Sequence, residues 1–303
     1  MPRIVQFAEF GPASVLEIVE VAEPHAAQDQ VRVAVQSLGL NPIDSKVRGG
    51  HVQDYIPIRP PSGLGNEFAG VIDEVGTGVS GLHVGDAVFG TAPFRALAEY
   101  LVVEPGDLVP KPAEISWDVA AVLPVAGATG YNSVTSLRIG PQDTVLVSAA
   151  AGGVGSVAAQ LAVRAGATVI GTASEHNHNY LRSLGVLPST YGPGLVDRIR
   201  LIAPAGITAA LENNGTEAIE AALELGVAPA RINTVVGTAA RYGIGGVGGS
   251  SGPETLTTVA GLIASAALSI PIEATYAFDD VIAAYERLDT GHLRGKIVLR
   301  VRH

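Results

Sequence analysis

Seven consecutive residues, Ala149-Ala-Ala-Gly-Gly-Val-Gly155, carry the clearest chemical signal in the chain. They stand between an apolar run, Asp143-Thr-Val-Leu-Val-Ser148, and a helical stretch, Ser156-Val-Ala-Ala-Gln-Leu-Ala-Val-Arg164, after which a second strand, Ala167-Thr-Val-Ile-Gly171, is predicted. Written as Ala150-x-Gly152-x-x-Gly155, the segment has the spacing of a turn that cradles a dinucleotide pyrophosphate. The middle glycine lets backbone approach the phosphates, the last lets helix pack on strand, and the helix N-terminus offers free N–H groups to negative charge. Strand, turn, helix and strand in that order are the context such a turn requires. A second literal match, Gly243-x-Gly245-x-x-Gly248, lies seven residues past a strand ending at Val236 and runs into Gly249-Ser-Ser-Gly-Pro253. It reads as a loop near the active site, with no pyrophosphate assigned to it.

The choice of dinucleotide is written about 20 residues beyond the last fingerprint glycine, where an acid at the strand end would bond the ribose 2′-hydroxyl of NAD. Here that position is Ala173, followed by Ser174. Glu175 is the alternative NAD-type acid, but it comes two residues late and suits the first turn of a helix capped by Ser174. His176, Asn177, His178 and Tyr191 are polar groups able to contact a 2′-phosphate, so NADP(H) is favoured. None of the eight tyrosines has a lysine four residues on, which removes the Tyr-x-x-x-Lys chemistry of short-chain reductases.

These residues need elements to position them. Val119 to Val134 is Ala-rich, further strands are predicted at 209–211 and 231–236, and the alternation from 143 onward is that of a doubly wound parallel sheet. Before about Asp118 the chain reads as short strands with glycine punctuation, among them Gln30-Val-Arg-Val-Ala-Val-Gln36 and Phe68-Ala-Gly-Val-Ile-Asp-Glu-Val75. After about Ala267 β character returns, with a helix around 279–288 and a last strand, Gly295-Lys-Ile-Val-Leu-Arg-Val301.

Composition narrows the chemistry. The 303 residues contain no cysteine, which excludes disulfides, thiolate nucleophiles and sulfur-bound zinc. A net charge of -10 argues against nucleic acid or an anionic membrane as partner and leaves a small molecule. The N-terminus lacks an apolar signal segment, and the longest apolar stretch, Gly261 to Ile272, is well short of the roughly 20 residues of a bilayer span. A soluble, cytoplasmic protein is expected.

Several motifs, in order, resemble the medium-chain dehydrogenase/reductase superfamily in its zinc-independent quinone-oxidoreductase and enone-reductase branch. They are Gly39-Leu-Asn-Pro-Ile-Asp-Ser-Lys-Val-Arg-Gly49, Gly65-Asn-Glu-Phe-Ala-Gly-Val-Ile-Asp-Glu-Val-Gly76, Gly85-Asp-Ala-Val-Phe-Gly90, the turn at 149–155, and Gly291-His-Leu-Arg-Gly-Lys-Ile-Val-Leu299. The resemblance implies an α/β protein with two domains. A Rossmann domain spans 118–266, and a β-rich, partly open, GroES-like barrel is built from 1–117 and 267–303. It also implies a homodimer.

By the same resemblance Asn41 and Asn66 occupy positions where zinc-bearing relatives hold ligands, and amides are poor zinc ligands. His51, Glu67 and His83 could supply a metal site only formally, since none makes a ligand pair at helical or hairpin spacing. No metal is expected. Asn41 and Thr129 should line the nicotinamide and substrate site and Asp44 should fix the first-motif loop, with Tyr55 and Lys46 as candidate substrate-facing or proton-donating groups. Nucleotide contacts carry over to Gly152, Gly153, Val154, Ser174, His178 and Tyr191, and to Gly237, with His178 where the family has a lysine or arginine. The implied activity is hydride transfer from NADPH to a quinone or α,β-unsaturated carbonyl. A carbonyl or alcohol oxidoreductase and a non-catalytic NADPH-binding protein are the alternatives.

Overall fold

The computed structural model describes residues 1–237, 239–247 and 252–302. The N-terminal third contains β1 (Arg3–Phe7), β2 (Leu16–Glu20), β3 (Val31–Leu40), α1 (Pro42–Arg48), β4 (Ser62–Gly63), β5 (Glu67–Val75), β6 (Ala87–Thr91), β7 (Tyr100–Val103), β8 (Leu108–Pro110) and the short α2 (Trp117–Ala120). Along β3 the burial alternates over Val31, Val33 and Val35 and then becomes continuous from Ser37 to Leu40. The strand is therefore one-sided at its start and covered on both faces where it approaches Asn41, because α2 packs there.

The middle of the chain supplies α3 (Ala128–Ser136), β9 (Thr144–Val147), α4 (Gly153–Arg164), β10 (Thr168–Thr172), α5 (His178–Ser183), β11 (Leu187–Ser189), α6 (Leu195–Ile202), β12 (Ala209–Glu212), α7 (Glu217–Glu224), β13 (Ile232–Thr234), α8 (Ala239–Tyr242), β14 (Gly245–Gly246) and α9 (Pro253–Ala264). Its strands form one parallel sheet in the order β11-β10-β9-β12-β13-β14, the 3-2-1-4-5-6 order of a dinucleotide-binding fold. Val145, Leu146 and Val147 are buried, as an apolar run covered on both faces must be. The strand predicted at 231–236 is shorter, and the Gly243 loop contributes only the two-residue edge β14; Gly248 to Ser251 lie outside the described residues.

The tail completes the first sheet with β15 (Ile272–Ala277), α10 (Val281–Asp289) and β16 (Lys296–Arg300). Beside its pairing with β5, β3 pairs through residues 31–34 with β7 and through residues 37–40 with β16. That shared edge rolls the sheet toward a barrel and brings the start of β16 against Leu40 and Asn41. The two lobes share an apolar core in which Ala69, Phe89 and Val298 of the barrel side join Val145, Val147 and Ala158 of the nucleotide side. No described helix is long and apolar enough to cross a membrane.

Candidate active site

A cavity of about 320 Å³ opens between the lobes at the C-terminal ends of β9, β10 and β12. Open parallel sheets bind ligands at such a point, where the strand order reverses. The turn at 149–155 forms its floor. Gly152 is the N-cap and α4 begins at Gly153, three residues before the helical stretch read from Ser156. A Cβ on Gly155 would lie 2.2 Å from the Ala149 carbonyl oxygen, so this glycine permits the tight closure of turn on helix. At Gly152 the nearest atom would be that same oxygen at 3.2 Å, and the remaining space is open.

At the β10 end of the cleft, Ser174 Oγ lies 3.2 Å from Tyr191 Oη, and Tyr191 Oη lies 3.0 Å from His292 Nδ1. The Tyr191 and His292 rings stack with centroids 6.0 Å apart. His178 donates from Nε2 to the Ala173 carbonyl at 3.3 Å and does not line the cavity. His292 and Asn177 line it, together with Glu217, whose carboxylate accepts the Gly192 N–H at 2.5 Å. Sequence reasoning missed His292 and Glu217. The one cue for the histidine was its place between Gly291 and Gly295.

At the opposite end, α1 starts at Asn41, whose backbone N–H donates to Asp44 Oδ2 at 2.8 Å. Asp44 also accepts from Asn66 Nδ2 at 2.6 Å and from the Tyr285 hydroxyl at 3.1 Å. Burial pushes the Asp44 carboxyl up to about 6, against the pull of the Asn41 N–H and the Lys296 charge. The same burial, with the Asp44 charge, raises the Tyr285 phenol well above its ordinary value. Asp44 thus fixes the loop, the role expected for it.

Behind Asn41 is a pair the sequence did not announce. Lys296 Nζ donates to Glu67 Oε1 at 3.0 Å, to Asn41 Oδ1 at 2.5 Å and to the Leu40 carbonyl at 2.6 Å. Glu67 Oε1 also accepts from Asn41 Nδ2 at 2.8 Å, and its Oε2 accepts the Val125 N–H at 2.7 Å. The close approach requires Gly39, since a Cβ there would stand 2.4 Å from Glu67 Oε1. Lys296 is 5% exposed and Glu67 0%.

Of the residues expected at the site, Asn41, Gly152, Gly153, Val154, Ser174 and Tyr191 line this one cavity. Thr129 lies in the first turn of α3, buried and outside the lining; the next residue, Gly130, admits α4, because a Cβ on it would meet Val157 Cβ at 2.8 Å. Tyr55 is 58% exposed in the loop after α1. It faces Gly237 of the other lobe, whose Cβ would stand 3.5 Å from the phenol oxygen. Lys46 is exposed on α1. No cluster of three His, Cys, Asp or Glu suited to a metal occurs among the described residues.

Two family models match the chain. One, described as an alcohol dehydrogenase GroES-like domain, covers residues 27–113, and one described as a zinc-binding dehydrogenase covers 186–299. The quinone oxidoreductase of Coxiella burnetii superposes with a TM-score of 0.86 at 30% identity, covering 99% of each chain. The chain belongs to the medium-chain dehydrogenase/reductase superfamily, in its quinone-oxidoreductase branch. Escherichia coli quinone oxidoreductase complexed with NADPH superposes on this superfamily member with a TM-score of 0.87 at 25% identity, covering 98% of this chain and 99% of that one. The 2-methylene-furan-3-one reductase of Solanum lycopersicum is 29% identical over 97% of this chain and 77% of its own length. Two plant relatives of higher identity align over only 56% and 58% of their lengths, so the chain spans little more than half of them. In this quinone-oxidoreductase relative the GroES-like lobe supplies Asn41, Asp44, Asn66 and Glu67, and the tail strand supplies Lys296.

Proposed function

We propose that the protein is an NADP(H)-dependent oxidoreductase that reduces a quinone or an α,β-unsaturated carbonyl by direct hydride transfer, without zinc. The observation that carries this reading is that one cleft is lined both by the glycine turn at 152–155 and by Asn41 and Lys296, which Glu67 ties together from behind. Residues 1–117 and 267–303 would then form the substrate-handling domain and 118–266 the nucleotide domain.

The residues present fit a dinucleotide. Open space stands over Gly152, the first turn of α4 presents its N–H groups there, and Asn213 in the cleft carries a buried Oδ1 with no partner among the described residues. Ser174, Tyr191 and His292 offer polar groups to a 2′-phosphate, and the E. coli relative is named as an NADPH complex. Bound NADPH would supply the hydride.

The same residues do not fit a zinc ion. Asn41 and Asn66 offer amides where zinc needs imidazole, thiolate or carboxylate. Both carboxylates nearby already accept from three donors each, Asp44 from Asn41, Asn66 and Tyr285 and Glu67 from Val125, Asn41 and Lys296. Lys296 already brings a positive charge to the cluster. What the chain provides for catalysis is therefore hydrogen bonding. Hydride addition at the far carbon of a quinone or enone puts negative charge on the carbonyl oxygen as a phenolate or enolate, which needs less electrophilic help than an alkoxide. Asn41 has one Nδ2 hydrogen engaged by Glu67 and a second free for that oxygen.

NADPH oxidation measured over a panel of quinones, enones and aldehydes, and repeated with NADH, tests the reading. The expected result is faster turnover with quinones or enones than with aldehydes, and with NADPH than with NADH. Tight NADPH binding with no turnover on any acceptor would overturn it.

A further inference from the structure

Among the described residues lining the cleft, Lys296 is the only lysine or arginine. A cation beside a phosphate turn suggests a phosphate ligand, yet an ammonium has three donors and all three are engaged, by Leu40 O, Asn41 Oδ1 and Glu67 Oε1. Its stem is fixed as well, lying where a Cβ on Gly153 would meet Lys296 Cδ at 2.6 Å. Reaching a phosphate would leave Glu67 buried and unpaired. Lys296 and Glu67 act on Asn41 instead. An asparagine amide can rotate by a half-turn, but here that would set its NH2 against the ammonium and its carbonyl against the carboxylate.

We propose that Lys296 and Glu67 are positioning residues that lock the Asn41 amide in one orientation, with its remaining Nδ2 hydrogen as the donor to the acceptor's oxygen. The assignment rests on the reductase reading above and deepens it. The charge at Oδ1 also polarises the amide in a water-poor setting, which strengthens that donor. A lock of this kind changes the charge-developing step and leaves cofactor affinity alone.

The test uses the full chain and the K296M/E67Q double variant, which removes both buried charges together, with E67Q alone as the second variant. Glutamine at 67 must turn an NH2 either to the Val125 N–H or to Asn41, so it loosens the lock without deleting a side chain. Three quantities are read: NADPH Kd by cofactor fluorescence, kcat and KM with a simple quinone, and the absorption shift of 4-nitrophenolate bound to NADP+-loaded protein. The phenolate mimics the charged oxygen and needs no turnover. The expected result is an NADPH Kd within about twofold of wild type, a kcat lower by about 10–100-fold, less than the roughly 100–1,000-fold for outright loss of an oxyanion donor, and a diminished phenolate shift. A tenfold or greater loss of NADPH affinity with kcat unchanged at saturation would overturn the proposal and make Lys296 a phosphate ligand. Unchanged kcat and an unchanged phenolate shift would also overturn it. A wild-type phenolate shift that the variants lose, in protein that reduces no acceptor, would refute the reductase reading and leave the lock standing.

Discussion

Gly295 donates its backbone N–H to the Ala151 carbonyl at 2.8 Å, so the tail strand of one lobe is hydrogen-bonded directly to the phosphate turn of the other. The same two segments form a parallel bridge between Gly152 and Gly295. The next residue is Lys296. The glycine turn and the Asn41 amide are therefore set against each other by two successive residues of the chain.

That link depends on a glycine. Gly295 has φ +84°, and a Cβ on it would stand 1.9 Å from the Pro271 carbonyl oxygen. Gly295→Ala should lower stability by about 1–3 kcal/mol through backbone strain alone, with the clash adding to it, and should weaken NADPH binding at the same time. Thermal unfolding and cofactor fluorescence on the same samples check both effects.

The glycines of the turn should respond unequally. Gly155→Ala forces a Cβ to 2.2 Å from the Ala149 carbonyl, so folding itself should suffer. Gly152→Ala meets that oxygen at 3.2 Å and otherwise fills space left for the ligand, so NADPH affinity should fall with little change in Tm. Equal loss of Tm in both variants would show that the space over Gly152 is not a ligand site.

Asn41→Ala removes the proposed donor and should lower kcat by about 100–1,000-fold, the usual effect of losing one oxyanion donor. NADPH Kd should change little. Steady-state kinetics with a quinone, paired with fluorescence titration, separates the two.

Ala173→Asp should shift preference from NADPH toward NADH, because a carboxylate at the end of β10 repels a 2′-phosphate and can bond a free 2′-hydroxyl. His292→Ala should raise the NADPH Kd more than His178→Ala does, since His292 lines the cleft and His178 is turned to the Ala173 carbonyl. Comparing Kd values for both cofactors across the three variants decides it.

Much of this architecture was legible in the sequence because it is local. The fingerprint stands between a doubly covered strand and an Ala-rich helix, and both are present, the helix reaching back to Gly153 within the fingerprint itself. Asn41 and Asp44 stand only three positions apart, at the two ends of one capping motif, so their partnership could be read as well. Lys296 could not be paired with Glu67 in the same way. They are 229 positions apart and meet only because β3 gives one half of its edge to β7 and the other half to β16. In sequence Lys296 is simply the second residue of the terminal strand read over 295–301. By resemblance His178 stands where the family has a lysine or arginine for the 2′-phosphate; in the structure its ring is turned to the Ala173 carbonyl, while His292 of the other lobe lines the cleft.

Asp44 gives a pH signature. Its carboxyl, pushed up to about 6, holds a proton more tightly in the folded state than the roughly 3.9 of an unfolded aspartate. Its favourable contribution is therefore complete below the unfolded value and is lost as pH rises through the folded one, by about 3 kcal/mol in all. Urea midpoints between about pH 4 and 7 should show this decline in wild type and a flatter profile in Asp44→Asn. That variant should also be less stable at every pH, because its NH2 faces one of the three donors Asp44 now accepts.

The central claim is hydride transfer without a metal, and its most direct measurement is NADPH-dependent quinone reduction in metal-depleted buffer, with and without a strong chelator. The account predicts an unchanged kcat in the chelator and no gain from added zinc. Activity abolished by the chelator and restored by zinc would contradict it.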